Sequence, residues 1–311
     1  MTMNKEQVIL DNIMAKCKAE GLGLLYSQAR KNGEIVGENS VSLVKHRMHA
    51  YSVGKSFVSM TVGIAESEGL LSLDDKAINF YPEYKTPDRS GKAYEFTIRD
   101  LLRMTTGLKD ALFFSTDPLR YEDKDWEKYF WNAEFDEEKQ GTYLYSNFCS
   151  YILSCIIERV SGKRMLEYAR NRLFEPIGIG NPDWTYCAKG HTYGCNGIYV
   201  NIDEMGYFGE LLINYGRAGD KQIVPEKFVR EATVKQADTS NYNTFGPRYK
   251  YGYGYGIWIT EIPDSFFCYG SCGQYILCLP KEKTVLSFLS FEPNDHLKIL
   301  DYIIDEVKET I

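Results

Sequence analysis

The sequence predicts an α+β fold, with an antiparallel sheet built from both chain ends, flanked by the terminal helices, and a mostly α-helical region inserted between. Three observations predict it. Residues 22–48 and those after 250 carry β-branched, aromatic or alternating apolar runs broken by glycine, proline or charged turns. The stretch between them repeats its apolar residues at helical spacing. At the two ends, "MTMNKEQVILDNIMAKCKAEG" reads as an amphipathic helix and "DHLKILDYIIDEVKETI" as a closing helix.

Taken in order, "LGLLYSQA" and "EIVGENSVSLVKHRM" form a hairpin around the Asn32-Gly33 turn signal. From Ser52 the pattern turns helical, with Val53, Phe57, Met60 and Ile64 on one face and Gly69 as the stop. "FTIRDLLRMTTGL" predicts a helix capped by Thr97 and ending at Gly107, and "DPLRYEDKDWEKYFWN" one that starts at Asp117-Pro118. "YSNFCSYILSCIIERVSGK" sets Phe148, Tyr151, Ile152, Cys155, Ile156 and Val160 at helical spacing before the Ser161-Gly162 stop. "MLEYARNRLFEPIG" packs a second helix against it, and "IDEMGYFGELLINYG" follows a short apolar stretch at 196–200. The strands after 250 are "YKYGYGYGIWIT", "SFFCYGS", "QYILCLP" and "TVLSFLSF", the first read as packing rather than lining a site. The sheet part takes about 1–70 and 245–311, the helical part about 71–244.

Composition narrows the function. A chain of 311 residues, 44% hydrophobic and 14% aromatic, can bury a sizeable core. Its net charge of −7 and lack of clustered Lys and Arg exclude nucleic acid as a partner. No apolar run approaches the roughly 18 residues of a membrane span, and the N-terminus lacks a signal-peptide core, so a complete chain stays in the cytoplasm. The eight cysteines (17, 149, 155, 187, 195, 268, 272, 278) form no C-x-x-C pair and read as buried thiols, neither zinc ligands nor disulfides. The four histidines (46, 49, 191, 296) are scattered surface or core residues, with no motif that makes a triad or a metal site.

Gly54-Lys55-Ser56 looks like the tail of a phosphate-binding loop, but His49 stands where the loop needs its first glycine. Read one register earlier, Ser52-Val53-Gly54-Lys55 is S-x-x-K at a helix start, with both side chains on one face and the helix dipole favouring a developing negative charge. Its plainer reading is a serine helix cap. A second S-x-x-K, Ser42 to Lys45, lies in strand-like alternation that points the two apart. In "YLYSNF" a tyrosine phenol, Tyr145, can share a proton with a nearby lysine, while Asn147 orients an amide; the plainer reading is capping by Ser146 or Asn147. In "FFCYGSCGQYILCLP", Ser271 can offer its N–H to a carbonyl oxygen and Gly270 admit a close backbone approach by substrate; the plainer reading is a glycine bulge. No G-x-S-x-G elbow, dinucleotide loop or H-E-x-x-H is present.

Together, S-x-x-K at Ser52, Y-S-N at Tyr145 and the Cys268-Tyr269-Gly270-Ser271 strand resemble the serine β-lactamase and penicillin-binding-protein superfamily. The closer likeness is to its class C β-lactamase, D-Ala-D-Ala carboxypeptidase and esterase branch, from about residue 22 to the end, including "SVGKSFVSMTVGIAESEGLLSLDDKAINFYPEY" and "GIYVNIDEMGYFGELLINYGRAGDKQIVPEKFV". The resemblance implies a β-lactamase/transpeptidase-like fold and one catalytic unit, 1–311. It implies a Ser52 nucleophile, Lys55 and Tyr145 as its base, and Asn147 holding the substrate amide or Lys55. It further implies Tyr269, Gly270 and Ser271 at the substrate, an oxyanion hole from the Ser52 and Ser271 N–H groups, and no metal or organic cofactor. The substrate would be a small-molecule ester, amide or β-lactam. Members of the branch are often exported, which conflicts with the missing signal.

One departure stands out. Where the family's third motif carries Lys or His before Thr-Gly, this chain has Cys268-Tyr269-Gly270; Lys283-Thr284-Val285 is no substitute, lacking the glycine. The lost cation argues against β-lactam and D-Ala-D-Ala specificity and for esterase or amidase action. It also motivates a second expectation, a non-catalytic or weakly acylating ligand-binding sensor on the same fold.

Overall fold

A computed structural model describes residues 4–85, 91 and 94–310, so Met1–Met3 and Ile311 of the terminal helical readings lie outside the described residues. Helix α1 (Lys5–Ala19) begins where the Asn4 side chain accepts the Gln7 N–H, and it turns Ile9, Leu10, Ile13 and Cys17 inward. Strands β1 (Leu24–Lys31) and β2 (Glu34–Ser40) close the hairpin through Asn32 and Gly33, both at positive φ. The second strand is shorter than its alternation predicts. The Ser40 and Ser42 side chains accept the backbone N–H groups of Ser42 and Val44, a local turn that outcompetes the ladder, and Val41, Leu43 and Val44 stay exposed.

Strand β3 (Met48–His49) leads into a single 3₁₀ turn, Tyr51–Val53, and then α2 (Gly54–Ser67). Every residue of α2 from Gly54 to Ala65 is buried, so this helix runs through the interior instead of lying on the surface. Helix α3 (Ile98–Arg103) has the predicted Thr97 cap, reciprocated by Asp100, but ends early because Met104 turns left-handed. The single helix expected over 117–132 is two, α4 (Leu119–Glu122) and α5 (Trp126–Asn132). Asp123 accepts the Asp125 N–H and Asp125 caps α5 through Lys128, so the acidic pair breaks the run.

Helix α6 (Asn147–Ser161) is capped by Ser146 and stopped by Gly162 at φ +68°. Helix α7 (Met165–Ala169) loosens into a π turn over 170–174. Strands β4 (Asp183–Trp184) and β5 (Ile198–Val200) join β3 in a small sheet ordered β3-β5-β4. Helix α8 (Ile202–Ile213), the two-residue strands β6 (Arg217–Ala218) and β7 (Lys221–Gln222), and α9 (Glu226–Ala232) complete the middle of the chain. The tyrosine- and glycine-rich run yields only the short β8 (Trp258–Ile259), since Gly252 and Gly256 turn the backbone through positive φ; Tyr249, Tyr253 and Tyr255 are packed inside. Strands β9 (Phe266–Gly270), β10 (Gln274–Leu279) and β11 (Thr284–Ser290) and helix α10 (His296–Thr310) follow.

The main sheet is antiparallel throughout and ordered β2-β1-β11-β10-β9-β8, which pairs the first strands with the last (Ala29 opposite Leu286). Alternation assigns its faces. Tyr275 reaches the His296 carbonyl of α10, and α1 is tied to α10 by Lys16 and Asn12 on Glu306. Ile276 and Val285, one residue out of phase, approach Gly209 of α8, while Arg30 pairs with Glu210. The sheet is thus covered on one face by the terminal helices and on the other by α8. Strand β9 lies beside the turn that enters α2.

Candidate active site

Ser52 sits in the 3₁₀ turn before α2, where residues three apart eclipse one another. Lys55 Nζ accordingly donates to Ser52 Oγ at 2.8 Å, and to the Cys195 carbonyl at 2.7 Å. The capping reading of Ser52 fails, because Val53 occupies the cap of α2 and no side chain caps it. Tyr51, just before, is held at φ +48°, a conformation that costs a non-glycine residue on the order of 1–3 kcal/mol.

Lys55 is 2% exposed and, among the described residues, pairs with no carboxylate. Burial lowers its pKa to about 8; Cys195 and Cys149 offset part of that, and the Arg120 guanidinium adds to it. Its ammonium lies 5.1 Å from the centre of the Tyr145 ring. Burial raises the pKa of the Tyr145 phenol by more than the nearby Ser52 hydroxyl lowers it. Trp258 stacks on the same ring at 6.0 Å.

Asn147, the first residue of α6, donates Nδ2 to the Phe113 carbonyl at 3.0 Å and makes no hydrogen bond to Lys55. Its Oδ1 is buried with no hydrogen-bond partner. On β9, Cys268 is fully buried against Ser56, its thiol pushed up to about 12 by burial. Tyr269, pointing the other way, meets His296 Nε2 through its hydroxyl at 2.8 Å. Gly270 is required by the protein's own backbone: a Cβ there would stand 2.2 Å from the Ala50 carbonyl oxygen. Ser271 begins the turn to β10.

Ser52, Tyr145, Asn147, Tyr269 and Ser271 open onto one cavity of about 670 Å³, ordinary for a small-molecule site. Lys55 and Gly270 support it from behind. Three contributors were not singled out from sequence. The Cys195 carbonyl holds Lys55, and a backbone atom leaves no residue-type signal. His49 lines the cavity and accepts the Gly197 N–H on Nε2 at 2.9 Å, with burial lowering its pKa; its place three residues before Ser52 was the available hint. Arg120 of α4 is the third. Of the eight cysteines, seven are buried and Cys272 is half-buried at the cavity wall; all are free thiols.

Comparison with known proteins fits this geometry. The family model described as Beta-lactamase matches residues 16–305. The chain belongs to that family. Penicillin-binding protein 4* of Bacillus subtilis (strain 168) is 24% identical over 323 residues, covering 94% of this chain and 68% of the relative. Solved structures share the fold as well. A putative 6-aminohexanoate-dimer hydrolase from Bacillus anthracis has a TM-score of 0.77 at 19% identity, covering 94% of this chain and 80% of its own. A family VIII carboxylesterase has a TM-score of 0.71 at 15% identity, covering 97% and 96%. The β-lactamase/transpeptidase-like fold and membership of a hydrolase family are therefore established. No helix among the described residues is long and apolar enough to cross a membrane.

Proposed function

We propose that the protein is a serine hydrolase that forms an acyl-enzyme on Ser52 from an ester or amide. The supporting observation is the 2.8 Å contact between Ser52 Oγ and a buried Lys55 whose pKa, at about 8, leaves a useful fraction unprotonated near neutrality. Ser52 Oγ attacks the substrate carbonyl carbon and its proton passes to Lys55 Nζ. The resulting oxyanion lies between the Ser52 and Ser271 N–H groups, an arrangement worth roughly 3–4 kcal/mol per donor.

Tyr145, kept as a neutral phenol by its raised pKa, acts as relay. It gives its proton to the departing alcohol or amine as the C–O or C–N bond breaks, and regains one from the Lys55 ammonium. A water then attacks the acyl carbon, its proton returns along the same path, and Ser52 is freed. Asn147 Oδ1, buried and unpartnered, accepts the N–H of an amide substrate. Tyr269 and Gly270 complete the β9 side of the site. The whole chain, 1–311, works as one catalytic unit, because these side chains come from both its sheet and its helical parts.

Mass spectrometry after exposure to a fluorophosphonate, an activated ester or a penicillin tests this reading. One adduct on Ser52 is expected, with none in Ser52→Ala and esterase activity at least about 10³-fold lower. An unlabelled Ser52, or a Ser52→Ala protein that turns over as before, overturns the proposal. A stable adduct without turnover points instead to a ligand-binding sensor. Rates on p-nitrophenyl esters of increasing acyl length, nitrocefin and a D-Ala-D-Ala peptide then separate the substrate types.

A further inference from the structure

The third motif supplies no cation to the cavity, since Cys268 faces away from it into the core. Another element does. Arg120, on α4, is half-buried in the cavity wall, its guanidinium 5.3 Å from the Tyr193 ring centre, 5.5 Å from Tyr121 and 5.7 Å from Phe113. Aromatic faces orient a guanidinium and strip part of its water while leaving its N–H fork free to donate. Arg30, Arg47, Arg99 and Arg248, also at least half-buried, each pair with a carboxylate. Among the described residues Arg120 pairs with none.

The cavity as a whole has the opposite character to the chain that forms it. The protein carries 43 Asp and Glu residues and a net charge of −7, yet among the described residues no carboxylate lines this cavity. Burial lowers the pKa of Lys55 and Arg120 adds to it, while at Cys195 and Tyr193 Arg120 offsets part of the rise that burial causes, so its charge is felt where Ser52 is met. Such a site attracts an anion and provides one fixed fork to hold it.

We propose that Arg120 is a specificity-determining residue that binds a carboxylate of the substrate, making the preferred substrate an ester or amide that also carries a free carboxylate. This rests on the Ser52 reading for where the reacting carbonyl lies. The carboxylate pairs with Arg120 at one wall of the cavity while the carbonyl is presented to Ser52 at its floor.

The test separates binding from turnover. Calorimetry with the Ser52→Ala protein compares monomethyl glutarate with dimethyl glutarate, a pair that differs by one negative charge. The monoester should bind about 10- to 100-fold more tightly, as a charge-assisted contact allows. That preference should fall to near unity in Ser52→Ala/Arg120→Ala, return in part in Ser52→Ala/Arg120→Lys, and weaken with salt in the parent. Equal binding of the two ligands by Ser52→Ala, or a preference that survives Arg120→Ala, overturns the assignment. The lysine variant distinguishes lost charge from a disturbed fold. Fluorophosphonate labelling of Ser52 in the otherwise unaltered protein is read alongside. Labelling without a carboxylate preference removes the Arg120 assignment alone, whereas a preference without labelling keeps the anion site and removes the serine mechanism.

Discussion

Two buried clusters in this molecule treat charge in opposite ways. Around Lys55 an ammonium is buried with no carboxylate partner among the described residues, and its pKa falls to about 8. Around Glu127, whose side chain is only 3% exposed, charge is buried with its complement. Arg159 reaches that carboxylate at 3.0 Å, His191 Nε2 at 3.4 Å and Lys189 at 3.5 Å, while His191 Nδ1 meets Glu158 at 2.7 Å. Burial alone would push the Glu127 carboxyl up, but His191 and Arg159 outweigh it and bring it to about 2; the hydrogen bonds to Glu127 and then Glu158 raise His191 to about 10. Unpaired burial makes a base near neutrality. Paired burial fixes charge, and here it ties α5, α6 and the 189–192 segment together.

Breaking each cluster should therefore give different losses. The largest is Lys55→Met, which should slow acylation about 10²- to 10⁴-fold in burst kinetics with a p-nitrophenyl ester, with the protein still folded. A smaller change would move the base elsewhere. Glu127→Gln takes from Arg159, Lys189 and His191 the buried carboxylate they share, leaving each one other acidic partner, and should cost about 2–4 kcal/mol in urea unfolding, with little change in acylation per folded molecule. A loss under ~0.5 kcal/mol would reduce the cluster to surface decoration.

The pH dependences should run against each other. Because Lys55 must be neutral to accept a proton, kcat/KM should rise about tenfold per pH unit below 8 and level off above it. His191, raised in the folded state from 6.5 to about 10, gives stability that is full below pH 6.5 and lost as pH climbs through 10. Glu127, lowered from 4.5 to about 2, gives stability that is full above pH 4.5 and lost as pH falls through 2. Thermal unfolding from pH 3 to 10, compared with His191→Gln, checks the sign; an unchanged alkaline slope in the variant would contradict it. The smallest effect is expected from Cys268→Ala, about 1 kcal/mol of stability, with ester turnover close to that of the parent. A large loss of turnover would give Cys268 a role that its burial denies.

Much of this was readable in the residues. The β-textured ends of the chain do pair into one sheet, and Ser52 and Lys55 do meet, because a spacing of three means contact at a helix start. Tyr145, Asn147 and Ser271 reach the same cavity, which only the family resemblance suggested, since nothing local links residues so far apart. Other features depended on competition that a pattern does not display. Ser40 and Ser42 diverted a promising strand, and Asp123 and Asp125 split a promising helix. The direction of Cys268 depended on which face of β9 meets α2, and Arg120 on how the loops around α4 fold back. Neither is written in spacing.

The 2.2 Å that separates a hypothetical Cβ at position 270 from the Ala50 oxygen has a consequence for how this cavity can change over time. Strand β9 and the turn bearing Ser52 are keyed together at Gly270, so any side chain there acts as a wedge that shifts Ser52 before it touches a ligand. On either side Tyr269 and Ser271 line the cavity, Tyr269 packed among Phe245, Tyr249, Tyr275 and His296 and Ser271 at the start of the turn to β10. The cavity wall is therefore open to change by single substitution at 271, while 270 is closed to it. The site has adjustable walls hung on a fixed hinge pin.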